Sequence, residues 1–299
     1  MDNPARRATI LLEALPYIRR FSGSTIVVKF GGAAMKDPAL SAAFARDIVL
    51  LQFVGIKPVV VHGGGPQISK MLEELHIPTQ FVDGHRITDA ASMDVVEMVL
   101  AGKINKSIVA LINAEGGKAV GISGKDGHLA RAVPHTLQRT DGEEISLGQV
   151  GTLTRDDINP ALIRNLDDSG YIPIIAPVAV GPQGESLNIN ADTMASAVAS
   201  ALQARKLVLL TDTPGVLIDN QTATGLAPAH IQELIAAGTI SGGMIPKVEC
   251  CTRAIANGVK RTHIIDGRIE HALLLEIFTD SGVGTLISGE FGPEEKAND

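Results

Sequence analysis

Between positions 25 and 266 the chain repeats one pattern: an apolar run of strand length, a glycine or capping signal, then a segment with helical spacing. The runs are TIVVKF (25–30), KPVVVH (57–62), YIPIIAPV (171–178), KLVLLT (206–211) and RTHIID (261–266). Continuous β-branched runs without polar alternation belong to strands covered on both faces. After TIVVKFGG, Asp37 and Pro38 fit the N-cap and first turn of a helix that can run to Gly55. KPVVVH, the glycines of HGGG and a helix bearing Ile68, Met71 and Leu72 come next. The order is β-α-β-α, which implies parallel strands and right-handed crossovers.

Further along, Val95, Val96, Met98, Val99, Ile104 and Ile108 form the apolar stripe of a long helix expected from about Asp89 to Asn113. The stretch 117–155 holds the turn signals KDGH and TDGEE and no helical pattern, so it reads as a hairpin-rich insertion. The βα pattern then resumes, with a boundary between two lobes expected near residue 178. Before the first strand, Asn3 and Pro4 can start a helix that Pro16 should kink. The tail GPEEKAND is expected to fray.

Composition narrows the function classes. Hydrophobic residues make up 45% of 299, but aromatics only 3% with no Trp, so the core is built from Val, Ile, Leu and Ala. A net charge of −7 without basic runs argues against general nucleic-acid binding. No run of about 18 apolar residues indicates a membrane span, and the N-terminal stretch lacks a signal-peptide pattern. Cys250 and Cys251 are adjacent, which is neither a disulfide framework nor a zinc spacing. Cytoplasm is the expected compartment, with no membrane or nucleic-acid partner.

Two glycine loops, KFGG and HGGG, follow successive strands. Bare backbone at a strand's carboxyl end, opening a helix N-terminus, suits an anion. Each loop alone is equally well a tight turn with no ligand; the pair favours a shared anion site. Neither the P-loop nor the G-x-G-x-x-G pattern occurs, and no G-x-S-x-G elbow accompanies HGGG.

Four clusters add charge. Lys29 ends an apolar strand beside Gly31, where a lysine wants a charged partner or snorkels to the surface. Arg86, in GHRITD, offers a fork for a carboxylate or phosphate, or a surface ion pair. In LNINADTMA, Asn190 fits an N-cap, leaving Asn188 and Asp192 to be explained. In SGGMIPKVE, Lys247 stands in a first helical turn, where the helix dipole disfavours a cation unless an anion is near. Such parts suit phosphoryl transfer, which needs positioning and charge neutralisation more than covalent catalysis. His62 and His85 adjoin the loops, but a lone His beside a glycine turn is more often structural.

In order along residues 24–288, KFGG, VVVHGGGPQI, GHRITD, LNINADTMA, LLTDTPGVL and SGGMIPKVE resemble the acetylglutamate kinases of the amino-acid kinase family, in particular the arginine-inhibited type. The resemblance implies a three-layer αβα sandwich with an open, mostly parallel central sheet in two lobes. Residues 1–22 would be a kinked helix between subunits. Residues 23–178 would bind acetylglutamate and dimerise, and 179–299 would bind ATP and effector. The implied reaction moves the γ-phosphoryl of ATP, with Mg²⁺, onto the side-chain carboxylate of N-acetyl-L-glutamate, an early step of arginine biosynthesis.

By the same likeness Lys29 and Lys247 would stabilise the phosphoryl group in flight, with Asp192 holding both. Gly64, Gly65, Arg86 and Asn188 would bind acetylglutamate. Gly31 and Gly32 would face the phosphates, and Thr211, Asp212, Gly215, Val216, Thr239, Ile240 and Ser241 would line the nucleotide. No protein metal site is implied, the Mg²⁺ riding on the ATP phosphates. Glu276 and Gly282, in EHALLLEIFTDSGVGTLI, would contact L-arginine as inhibitor, within a ring-shaped hexamer built from interlaced dimers. The rivals are a kinase of the same family acting on glutamate, aspartate or carbamate, and a non-catalytic anion sensor on the same fold.

Overall fold

The computed structural model describes residues 4–82, 84–138, 144–280 and 282–289. The apolar runs form one eight-stranded sheet. Its strands in chain order are β1 (Thr25–Phe30), β2 (Lys57–His62), β3 (Ala119–Ser123), β4 (Ile172–Ala176), β5 (Lys206–Thr211), β6 (Gly225–Leu226), β7 (Arg261–Asp266) and β8 (Gly284–Ile287). Across the sheet the order is β6-β8-β7-β5-β1-β2-β4-β3. Pairing is parallel except between β7 and β8.

Alternate side chains feed two cores. Ile26, Val28 and Phe30 of β1 join one face, with the helices α2 (Pro38–Phe53), α3 (Gly65–Glu74), α4 (Ala90–Glu97) and α5 (Asn105–Ala114). Val27 points to the other face, covered by α6 (Ala161–Asp168), α7 (Ala191–Leu202), α8 (Pro228–Ala236) and α9 (Ile245–Ala256). That is a three-layer αβα sandwich, as expected for strands buried on both sides.

Local signals explain the helix starts. Asp37 caps α2 by accepting from the N–H groups of Ala39 and Leu40, with Pro38 at the first position. Asn190 caps α7 through Asp192 N–H at 2.8 Å and Thr193 N–H at 3.2 Å. The first helix, α1 (Pro4–Phe21), contains Pro16 and packs near α10 (Ala272–Phe278). Asn3, read as a helix start, and the tail 292–299 lie outside the described residues, as does most of the TDGEE turn.

Two features differ from expectation. Ala119–Ser123, taken as part of a hairpin insertion, is the edge strand of the main sheet, parallel to β4. Its glycine-laced GKAVGIS offers little strand signal of its own; pairing to a buried neighbour supplies it. The insertion proper is the pair Val133–Gln138 and Glu144–Thr152, extended by Ser186–Ile189 and Val178–Val180 into a four-stranded sheet. Residues 178–189 thus pair with this small sheet, and the chain crosses to the second half at α7. The long helix after Asp89 forms, but widens into a π turn over Met98–Ile104 between α4 and α5.

Candidate active site

The sheet order reverses at β1: α2 leads to β2 on one side, and β5 lies on the other. Crevices at such switch points, outside the carboxyl ends of the strands, are where open α/β sheets take ligands. Here the crevice is a cavity of about 330 Å³ lined by both glycine loops, by Arg86 and Asn188, and by Lys29, Asp192 and Lys247.

A charged trio, Lys29, Asp192 and Lys247, stands in the cavity wall. Lys29 reaches from β1 to 3.1 Å from Asp192 Oδ1. Lys247, in the first turn of α9, donates from Nζ to Oδ2 at 2.7 Å. Asp192 is 5% exposed. Burial alone would raise its pKa, but Lys29 and Lys247 outweigh that and hold the carboxyl down at about 2. Its place in the first turn of α7 also favours an anion. Oδ1, though buried, makes no aligned hydrogen bond among the described residues; Lys29 meets it as an ion pair.

The glycine loops are shaped by close approach. Gly32 has φ +68°, and a Cβ there would fall 2.1 Å from Asp212 Oδ1, which accepts from Ala33 N–H. At Gly31 an added Cβ would meet Lys29 Nζ at 2.8 Å, and at Gly64 it would meet Ile104 Cδ1 at 2.5 Å and Leu100 Cδ2 at 2.6 Å. Gly65 faces open space. Gly63 N–H donates to Phe30 O at 2.8 Å, which ties the second loop to the first.

Arg86 is 7% exposed and has no ion-pair partner among the described residues. Its guanidinium donates to Thr79 Oγ1 at 2.5 Å and Ser69 Oγ at 2.6 Å, and its Cζ lies 4.5 Å from the centre of the Phe81 ring. Burial lowers its pKa, from a value so high that the charge is kept. Asn188 reaches the same cavity from the strand Ser186–Ile189.

The residues expected to line a nucleotide are placed elsewhere. None of Thr211, Asp212, Gly215, Val216, Thr239, Ile240 and Ser241 lines the lysine cavity. Thr211 Oγ1 donates to Thr213 O at 2.9 Å, and Val216 N–H donates to Thr285 Oγ1 at 2.9 Å. Val216 and Ile240 are core residues, so only their main chain can meet a ligand, whereas Thr239 and Ser241 are exposed. Asp212 instead braces the first glycine loop.

A second buried cluster lies where α10 meets the end of α1. Glu276 Oε1 is 2.6 Å from His263 Nδ1, and Oε2 accepts from Val283 N–H at 2.8 Å. Gly282, φ +55°, brings its Cα so close that a Cβ would sit 3.0 Å from Oε2. Burial pushes His263 down to about 4 and Lys206 down to about 8. Burial also works on Glu276, but His263 reverses it and leaves that carboxyl below its ordinary value. Lys206 Nζ lies 4.9 Å from the centre of the Phe21 ring, at the end of α1. Sequence reasoning missed Lys206 and His263; a lysine and a histidine inside apolar strands were the available signal.

Residues 24–266 match the model of the amino acid kinase family. The chain belongs to that family. It is 56% identical over 291 residues to the acetylglutamate kinase of Leptospira biflexa, covering 96% of this chain and 99% of that one. It is 57% identical over 290 residues to the acetylglutamate kinase of Alkalilimnicola ehrlichii, covering 95% of each. Among solved structures it resembles N-acetylglutamate synthase from Neisseria gonorrhoeae complexed with coenzyme A and N-acetyl-glutamate, with TM-score 0.82 and 27% identity. That match covers 97% of this chain but 65% of the synthase chain. Carbamate kinase from Giardia, at 18% identity and TM-score 0.63 over 90% of this chain and all of that one, shares the fold.

Proposed function

We propose that the protein phosphorylates the side-chain carboxylate of N-acetyl-L-glutamate with ATP, in arginine biosynthesis. The observation that carries this reading is the convergence of Lys29 and Lys247 on Asp192 in a cavity walled by both glycine loops. A carboxylate acceptor with a pKa near ~4.3 is already ionised at neutral pH, so it needs no general base. What it needs is relief from charge repulsion as the phosphoryl group arrives. Two ammonium groups and glycine N–H donors supply that without reorganising. Asp192 holds both lysine nitrogens at fixed positions, one on each carboxylate oxygen. Arg86 is oriented by Ser69 and Thr79 to take the substrate's α-carboxylate as a fork.

ATP is assigned to the carboxyl side of β5 and the start of α9. There Gly242 and Gly243 have no atom within 4 Å of an added Cβ, which leaves main chain open to phosphate or ribose. Among the described residues no group of three or more His, Cys, Asp or Glu side chains could hold a metal. Mg²⁺ commonly rides on phosphate oxygens with few protein ligands, and bound there it would neutralise ATP charge. Glu276 and Gly282, beside α1, are assigned to feedback inhibition by arginine, in a hexamer built through α1. The setting proposed is the cytoplasm; among the described residues no helix is long and apolar enough to cross a membrane.

The test is a coupled assay with ATP and each of N-acetylglutamate, glutamate, aspartate and carbamate, with and without arginine. Turnover of N-acetylglutamate well above the others is expected. Preference for another acid would replace the substrate, and ATP binding without turnover on any acid would replace the enzyme with a sensor.

A further inference from the structure

Beneath the second glycine loop lies a buried polar chain that the proposed reaction does not use directly. His62 and Asn105 are both 0% exposed. His62 Nδ1 is 2.9 Å from Gly63 O, and Nε2 is 3.2 Å from Asn105 Nδ2. Asn105 Nδ2 also lies 2.9 Å from Ile174 O and 3.4 Å from Ile122 O, while its Oδ1 accepts from Lys106 Nζ at 3.0 Å. Lys106 Nζ in turn donates to Gly121 O at 2.8 Å.

These contacts fix the orientation of the Asn105 amide and the tautomer of His62. The Asn105 amide cannot be reversed, because its oxygen would then face the Ile174 carbonyl and its NH₂ the Lys106 ammonium. The NH₂ therefore faces His62 Nε2 at 3.2 Å, and an amide nitrogen cannot accept, so Nε2 carries no proton. The single proton of a neutral imidazole is left on Nδ1, where it meets Gly63 O. Burial holds His62 at about 4, so the ring is neutral at physiological pH.

We propose that Lys106, Asn105 and His62 form a hydrogen-bond relay that fixes the Gly63–Gly64 peptide with its N–H turned toward the substrate carboxylate, making Asn105 and His62 positioning residues. The peptide is planar and trans. Its C=O and N–H point in opposite directions, so a carbonyl drawn down onto the buried ring turns the Gly64 N–H up toward the cavity. Gly63 and Gly64 both line that cavity. Two features of the fold look built for the relay. A Cβ at Gly121 would lie 1.8 Å from Asn105 Oδ1, so the edge strand admits the amide only because that position is glycine. The π turn Met98–Ile104 ends at Asn105, setting Leu100 and Ile104 against Gly64 while Asn105 turns under the loop.

The inference rests on the proposed carboxylate kinase reaction, so wild-type turnover is first measured across the four acids. The relay is then judged on whichever acid is phosphorylated, and by a method that needs no turnover. In His62→Asn the amide nitrogen replaces Nδ1 and keeps the grip on Gly63 O; in His62→Gln it replaces Nε2 and loses that grip. His62→Gln and Asn105→Leu should raise KM for the acid about 10- to 100-fold, the scale of a small misplacement of a binding donor, with KM for ATP within about 2-fold. His62→Asn should recover most of the loss, with circular dichroism confirming folding in each variant. Equal KM values in His62→Asn and His62→Gln, or an unchanged acid KM in folded Asn105→Leu, overturn the relay. Nitrogen-15 NMR of histidine-labelled wild type decides the same point even if a variant misfolds. The His62 ring should carry its proton on Nδ1 and stay neutral at pH 6; a proton on Nε2 refutes it.

Discussion

Lys29 from β1 and Lys247 from α9 hold opposite oxygens of the same carboxylate, at 3.1 and 2.7 Å, so Asp192 sets the spacing of two cations that come from different halves of the chain. Asp192→Asn should therefore damage catalysis more than folding. Turnover should fall about 100-fold or more, the scale of removing preorganised charge at a reacting phosphoryl group. The pH signature follows from a carboxyl held at about 2. A depressed carboxyl contributes stability above its unfolded pKa near 3.9, lost as pH falls from there toward 2. Acid unfolding followed by circular dichroism should lose part of its slope in that window in Asp192→Asn. An identical acid limb in the two proteins would remove the ion trio from the stability of the fold.

Lys247 is disfavoured by the dipole of its own helix and has its ion pair only with Asp192 among the described residues. Lys247→Met keeps the aliphatic stem and removes the charge. Turnover should drop by two to four orders of magnitude, about 3–5 kcal/mol of transition-state stabilisation, with a melting temperature within a few degrees of wild type. Full activity in this variant would take Lys247 out of the mechanism.

How much of this was legible beforehand depended on whether the cause was local. Asp37 and Asn190 cap helices through bonds two and three residues away, and their positions could be read from spacing. The apolar runs of β1, β2, β4, β5 and β7 announce strands buried on both faces. Ala119–Ser123 does not, because its place is set by pairing with β4 rather than by its own composition. The π turn is a register choice made by packing, and no residue type encodes it. Lys29, Asp192 and Lys247 could be singled out as charges needing partners, but their convergence depends on long-range topology. Asn105, inside an apolar stripe, was the overlooked sign of a buried network.

Gly32 and Gly65 differ in what their missing side chains allow. Gly32 combines a left-handed φ of +68° with the Asp212 carboxylate 2.1 Å from an added Cβ, whereas Gly65 has open space. Gly32→Ala should displace the first loop, lowering turnover at least 10-fold and stability by about 1–2 kcal/mol. Gly65→Ala should fold with near wild-type stability and change only the KM of the acid substrate. Urea titrations and steady-state kinetics on the two variants check both halves; a reversed order of stability would contradict the loop geometry.

His263 is buried against Glu276 and held at about 4, against about 6.5 in the unfolded chain. The unfolded state binds the extra proton between those values, so the stability that neutral His263 retains at pH 7 falls away as pH drops from 6.5 toward 4. Asp47, which burial raises to about 6, acts with the opposite sign. The informative quantity is therefore the difference between wild type and His263→Asn. That difference should shrink by about 1 kcal/mol or more between pH 7 and pH 4.5. A difference that is flat with pH would mean His263 is already charged in the native state.

The exposed leucines of α1, Leu11 at 72% and Leu12 at 65%, leave an apolar stripe on a helix whose other end packs at Phe21 beside Lys206 and Glu276. If α1 joins subunits and also walls the effector pocket, both properties should depend on it. Removing residues 1–20 should reduce the oligomer to dimers by sedimentation velocity and raise the arginine concentration for half inhibition at least 10-fold, while uninhibited turnover stays within about 3-fold. Replacing Glu276 with Gln should weaken arginine inhibition without changing oligomer size, because a buried carboxylate facing a guanidinium or ammonium is worth more than a neutral amide. Truncation that leaves both oligomer size and inhibition intact would return α1 to the role of a surface helix.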